Sequence, residues 1–363
     1  MADSTTQKTP GKFKPFLIRK NIIVSGKRYF IDAMGAMANG LFASLLVGTI
    51  IATLGQRLGV QVLIDIGNFA KGVAGPAMAV SIAYALQAPP LVLFSMLAVG
   101  SVANSLGGAG GPLAVFVVAI IATELGKIVS KETKIDILVT PIVSICSGVL
   151  LSMGIAPSIG KAASSVGTVI MWATEQQPFI MGIVVSVVVG MVLTLPISSA
   201  AICAALGLTG LAGGAAVAGC SAQMIGFAVM SYRENKVGGL VSQGLGTSML
   251  QMGNIVRNPK IWIPPTLAAA ITGPIATCIF KLKMNGEAIS SGMGTCGLVG
   301  QIGVYTGWLK DIGEGAKDAI TVMDWVGLGL VSFVLPAILS VVFCVLLRKI
   351  GWIKENDLKL DNM

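Results

Sequence analysis

The sequence predicts an all-α fold, a polytopic integral membrane helical bundle of about ten spans with a re-entrant or broken Gly-rich segment. Three observations carry this expectation. Only 11% of the 363 residues are charged, against roughly 25% in soluble domains, and 54% are apolar, with a mean hydropathy of +0.85. Apolar runs recur from about residue 31 to residue 347, cut by charges, Gly-Pro pairs and polar clusters. Glycine is abundant, at 46 residues, as it is where membrane helices approach closely. Such a chain cannot cover a water-facing surface of its size, which excludes a soluble enzyme, a nucleic-acid-binding domain and a disordered polymer. The net charge of +9 then belongs to the ends of membrane spans, and no nucleic-acid partner is expected.

The chain opens on a basic arm, residues 1–28, with Lys8, Lys12, Lys14, Arg19, Lys20, Lys27 and Arg28 against Asp3. It has no apolar stretch followed by a small-residue cleavage site, so it reads as a cytoplasmic segment and not as a secretory signal. A membrane domain over 29–350 follows. Spans are expected near 31–54, 68–88, 90–104, 112–128, 135–154, 178–197, 208–231, 261–281 and 321–347. Residues 155–177 and 237–256 instead alternate apolar side chains with Ser, Thr, Gln and Gly, the pattern of amphipathic helices at the interface or inside the bundle. Gly-Pro pairs at 75–76, 111–112 and 273–274 each sit at the head of an apolar run, where proline suits a helix start. Arg348, Lys349, Lys354 and Lys359 put the tail, 351–363, in the cytoplasm as well, which requires an even number of crossings. The six cysteines lie in apolar or Gly-rich surroundings without a CxxC pair and read as buried, reduced thiols.

One segment resists assignment as a span. EAISSGMGTCGLVGQIGVY, from Glu287 to Tyr305, is interrupted by five glycines and offers no unbroken run of the ~20 apolar residues a crossing needs. Broken backbone at membrane depth is tolerated only where protein surrounds it or where it lines a cavity. In transporters such segments point to the substrate site. The stretch Ser290–Gly303 is therefore expected to form a re-entrant hairpin or broken helix, with Gly297→Leu impairing ligand binding while assembly survives.

Candidate chemistry is sparse. The sequence holds no His and no GxxxxGK[ST] loop, so neither a phosphohistidine relay nor an ATPase is encoded in it. Its richest polar run is QMGNIVRNPKIWIPP (251–265), where Pro259 forces Asn258 toward an extended backbone and Pro264 and Pro265 restrict the next helix. Asn254 and Asn258 would offer donors and acceptors to a neutral polyhydroxylated ligand. The same run also reads as a cytoplasmic turn with Arg257 and Lys260 as ordinary positive-inside charges. Glu287 stands at the mouth of the Gly-rich segment, as a ligand group or a solvated loop acid. Gln223, and Thr194, Ser198 and Ser199 around Pro196, are polar groups in apolar surroundings that could face a cavity or re-satisfy backbone. Asp32, Asp65 and Glu175 read as interfacial.

The stretches GNIVRNPKIWIPP (253–265), TGPIATCIF (272–280) and GMGTCGLVGQIGVY (292–305) resemble the bacterial EIIC-like permeases of the sugar phosphotransferase system, in the branch labelled perfringolysin-regulator type. The resemblance covers about residues 30–350, and the Gly-rich segment is its most specific part. It implies a homodimeric permease of about ten helices in the bacterial cell membrane, which takes up a sugar and presents it to separate cytoplasmic phosphotransfer subunits. Asn258, Pro259 and Pro264 match the Asn-Pro-x4-Pro element of glucose-type permeases. The acid that precedes it there, the supposed base, is missing from QMGNIVR, and so is the accompanying His. No catalytic residue, metal ligand or cofactor is assigned, and the chain is at most the membrane subunit of a phosphotransferase. The expected solute contacts are Asn254, Asn258, Gln223, Glu287, Ser291, Thr295 and Gln301. A second reading is a membrane regulator that moves nothing and signals through its basic arm. A passive channel is a weaker third, because no ring of like charges or carbonyl filter is encoded.

Overall fold

Because lipid offers no hydrogen bonds, the apolar runs close into helices. A computed structural model describes residues 13–360; residues 1–12 of the basic arm and 361–363 of the tail lie outside the described residues. Among the described residues there is no strand, only an isolated bridge between Gly210 and Met284. Six helical runs among the described residues are long and apolar enough to cross a membrane: Lys27–Gln56, Pro90–Val129, Asp136–Thr174, Gly210–Met230, Pro259–Ile279 and Val322–Lys349. That count of runs stays below the expected ten or so, because Pro90–Val129 holds two of the expected spans and other apolar stretches form short or broken helices.

The run Pro90–Val129 is a hairpin. Its helices Pro90–Gly107 and Gly111–Val129 are joined by a 3-10 turn at Gly108–Gly110. Lys127, near its end, donates to the carbonyl of Leu86, just before its start, at 3.0 Å. The same lysine donates to Asn21 O at 2.8 Å and pairs with Glu124 at 2.9 Å, so a nearly fully buried cation ties the start of the chain to this hairpin. Asp136–Thr174 is one continuous helix of 39 residues, about 58 Å long. It corrects the sequence reading by merging the expected span 135–154 with the amphipathic stretch 155–177. Packing carries it through Pro157, since Gly148 lies against Val99 and Ala122, and Gly160 against the carbonyl of Gly107.

Two further stretches differ from the expected spans. The run 68–88 is broken at Val73 into the helices Gln61–Gly72 and Ala74–Ala85. Residues 237–256 are not one amphipathic helix but the end of Tyr232–Val241, a π-turn Ser242–Gly246, a 3-10 turn Ser248–Gln251 and a short helix Met252–Arg257. Gln243, Ser248 and Gln251 are fully buried there, and their side-chain hydrogen bonds replace the regular helical pattern. The Gly-Pro pairs at 75–76 and 111–112 lie in the first turns of helices. Pro274 instead ends the helix Ile263–Pro274, and the chain continues as the π-turn Ile275–Ile279.

Two hairpins flank the central helix Gly210–Met230, whose small residues bury it almost entirely. One is Pro178–Thr194 returning through Leu195–Ser198 into Ser199–Ala205. The other is the Gly-rich segment. It goes in through the 3-10 turns Ala288–Gly292 and Cys296–Leu298 and comes back as the helix Val299–Gly313. Its ends are pinned where Asn285 donates to both carboxylate oxygens of Asp311, at 2.9 and 3.0 Å. Gly294 and Gly297 take φ of +53° and +52° at its tip, values open to glycine, and Leu298 follows at +60°. The hairpins are stitched together by Ser199 Oγ to Gly292 O and Ser291 Oγ to Leu208 O, both 2.6 Å.

The largest apolar core joins Met34, Met37, Met78, Met96, Phe116, Phe227 and Ile261 with Ile353, Leu358 and Leu360 from the C-terminal segment. That segment is thus folded onto the bundle. Cys203, Cys220, Cys296 and Cys344 are buried, but Cys146 and Cys278 are exposed, a correction to the expectation of six buried thiols. Apolar helix faces that would meet lipid point outward here, and a cysteine on such a face is apolar without being buried.

Candidate functional site

A cavity of about 700 Å³, within the range of roughly 300–1,000 Å³ typical of small-molecule sites, opens at the end of the bundle that carries the C-terminal segment. The first long helix lines it with Asp32, Gly35, Ala36 and Asn39, spaced one and two turns apart on one face. Gly35 and Ala36 leave room between the carboxylate and the amide. Ser81, Tyr84 and Ala85 come from Ala74–Ala85; Leu250, Gly253 and Asn254 from the unwound stretch; Lys359 and Leu360 from the C-terminal segment. Asp32 supplies the carboxylate of this lining. Polar groups set in walls of Ile31, Val80, Leu93 and Leu250 suit a small ligand rich in hydroxyls.

The amides of the polar run have found partners. Pro259 leaves Asn258 extended, at φ −140° and ψ 92°, and its side chain caps the 3-10 turn Pro259–Trp262 by accepting from Lys260 N. Its amide donates to Trp352 O at 2.9 Å and to Asp357 Oδ2 at 2.8 Å. Asn254 donates to Gln251 Oε1 at 2.8 Å and to Lys359 O at 2.9 Å, and accepts from Arg257 at 3.3 Å. Of the seven solute contacts expected from the sequence, Asn254 is the one that lines the cavity.

Four of the others sit around the central helix. Gln223 accepts from Trp262 Nε1 at 3.0 Å and donates to Thr266 at 3.1 Å. Thr295, at the hairpin tip, donates to Gly244 O at 2.5 Å and lies 3.5 Å from Met224 Sδ. Gln301 donates to Ser221 Oγ at 3.2 Å, while its Oε1 is buried without a hydrogen-bond partner. Ser291 is held by Leu208 and Ala288 carbonyls. Glu287 is exposed at the start of the hairpin, apart from both groups.

The cavity, the unwound stretch and both hairpins fall within one family match. The family model described as Phosphotransferase system, EIIC covers residues 31–360. The chain belongs to the EIIC family. It is therefore a membrane-embedded, multi-pass sugar permease of the phosphotransferase system, and cytoplasmic partners of that system go with it. The reading as a regulator that moves nothing gains no support from this membership. No curated protein and no solved structure matches the chain.

In this EIIC protein several cavity residues escape a reading by composition. Asp32 passes for an interfacial charge, and Asn39, Ser81 and Tyr84 for isolated polar residues. A signal exists for the first two: seven residues apart, they share a helix face with Gly35 and Ala36 between them. Nothing local marks Ser81 and Tyr84, since only packing decides which face of a short apolar helix meets a cavity. Asn235 and Gln243 join the amide network for the same reason. Gln251 donates to Gln243 Oε1 at 2.9 Å, and Asn235 holds the C-terminal segment from a helix far away in sequence.

Proposed function

We propose that this EIIC protein binds a sugar in the cavity beside Asp32, Asn39, Ser81, Tyr84 and Asn254 and carries it across the bacterial cell membrane. The observation that supports this reading is the convergence of a carboxylate, two amides and two hydroxyls on one cavity among helices built for lipid. In the bound state Asp32 accepts a sugar hydroxyl, Asn39 both donates and accepts, and Asn254 forms part of the wall. Gln223, Ser291 and Thr295 hold the hairpins together. The Gly-rich hairpin is re-entrant from the face opposite the termini, both of which lie in the cytoplasm, and two copies form the working permease. The phosphate donor is a separate cytoplasmic phosphotransfer subunit.

Purified protein in lipid nanodiscs should bind one or more of a panel of sugars saturably, as read by calorimetry. Asp32→Asn should weaken that binding by about tenfold, the worth of a charge-assisted hydrogen bond. A panel with no saturable binding to the unaltered chain would remove the sugar reading. Cross-linking in vesicles that traps only single chains would remove the pairing.

A further inference from the structure

The described part of the C-terminal segment reaches the cavity. After the basic end of the last helix, residues 352–360 lie along the bundle with Ile353, Leu358 and Leu360 buried and Lys354, Glu355 and Asn356 outward. Four amide side chains from three separate elements grip its backbone. Asn235 donates to Leu358 O at 2.8 Å and accepts from Leu360 N at 2.9 Å. Gln251 donates to the same Leu358 carbonyl at 2.9 Å, Asn254 to Lys359 O at 2.9 Å, and Asn258 to Trp352 O at 2.9 Å. Lys260 stacks over the Trp352 ring, 4.9 Å from its centroid. Lys359 and Leu360 then form part of the cavity wall.

From this we infer that residues 352–360 are a detachable wall of the solute site, which supplies Lys359 and Leu360 to the bound state and widens the cavity mouth at the end bearing the termini when it lifts. The grip suits detachment. Apart from Asn258 to Asp357 Oδ2, its bonds run to backbone atoms of a turn-rich strip that is not helical. Three buried apolar side chains are a modest anchor for a strip that leaves the bundle without unwinding a helix. The inference rests on the cavity being the solute site.

The test uses the full chain in nanodiscs with Cys146→Ser and Cys278→Ser, which removes the exposed thiols. Leu250→Cys, 9% exposed in the cavity wall, is the reporter for a membrane-impermeant maleimide. Asn235 lies outside the cavity, and Asn235→Ala removes two bonds to the strip. Labelling at position 250 should rise on the order of tenfold, the factor expected for two net hydrogen bonds. Truncation after Gly351 should raise it further, with hydrogen exchange of the 352–363 peptide reporting release in the full-length variant. If Asn235→Ala does not assemble, Asn258→Ala loosens the strip from its other end. Unchanged labelling in a truncated or exchange-released chain overturns the inference. Sugar binding measured on the same samples separates the two readings: faster labelling without binding in any sample keeps the wall and removes the solute site, and binding with unchanged labelling does the reverse.

Discussion

The cavity end and the hairpin junction are built from the same kinds of residue, and they use them in opposite ways. At the junction, Thr194, Gln223, Ser248, Thr266 and Thr295 bond to one another or to nearby backbone and sulfur: Thr194 Oγ1 and Ser248 Oγ lie 2.8 Å apart, and Gln223 bridges Trp262 and Thr266. At the cavity, Asp32, Asn39 and Tyr84 are exposed, the tyrosine at 76%, and they turn toward space. A polar group in an apolar chain therefore has two fates, as a fixed strut or as a ligand contact. The difference is whether the protein itself completes its hydrogen bonds.

The hardest blow to this contrast is aimed at the junction's geometry. Gly294→Leu puts a side chain where φ is positive and the backbone of Cys220 and Ser221 is in contact, so the hairpin can no longer lie on the central helix. We expect a loss of about 3 kcal/mol or more, read as failure to elute as a folded species from detergent size exclusion. Normal elution would mean that the tip is not seated. Next in size is Gln223→Leu, which strands the Trp262 N–H and should reduce stability by about 1–3 kcal/mol in detergent thermal melts while leaving sugar affinity unchanged. Lost affinity with unaltered melting would move Gln223 from strut to contact.

Asp32→Asn should show the converse, with an unaltered melt and about tenfold weaker sugar binding. Gln301→Met is the finest probe. Replacing a half-satisfied buried amide with an apolar side chain of similar length should change stability by less than about 1 kcal/mol. If it instead weakens sugar binding, the unpartnered oxygen belongs with the cavity groups. At the surface, a hydrogen bond from Lys20, with the charges of Arg19 and Lys20, holds the Glu132 carboxyl below its usual range. A carboxyl lowered in the folded state stabilises the contact above the unfolded-state value and loses it as pH falls through the folded one. Release of the helix Phe13–Arg19, followed by limited proteolysis, should therefore increase below about pH 4, and a pH-independent arm would show that this pair does not hold it.

Much of the site's backbone was legible in the sequence, because proline and glycine act locally. Pro259 extends Asn258, and the glycines of 292–303 break their segment, whatever surrounds them. The partners of the side chains were not legible. Asn254 and Asn258 stand out in the sequence as amides ready for hydroxyls, yet they bond to a strip about a hundred residues downstream. Asp32 is a single acid near a helix end until Asn39, Ser81 and Asn254 are brought around it.

Composition and the length of the apolar runs determined that this chain is helical and belongs in a membrane, because a sparsely charged chain with long unbroken apolar runs satisfies its backbone in lipid within each run, as a helix. Local residue chemistry determined where the helices must break. Only the tertiary structure decided which polar groups bond to one another and which face the cavity, that 155–177 continues the preceding helix, and that the last ten or so described residues fold back along the cavity. Those outcomes depend on contacts between segments distant in sequence. Whether a buried hydrogen bond is completed is fixed by the atom that packing places at 3 Å, and nothing in a residue's own neighbourhood specifies that atom.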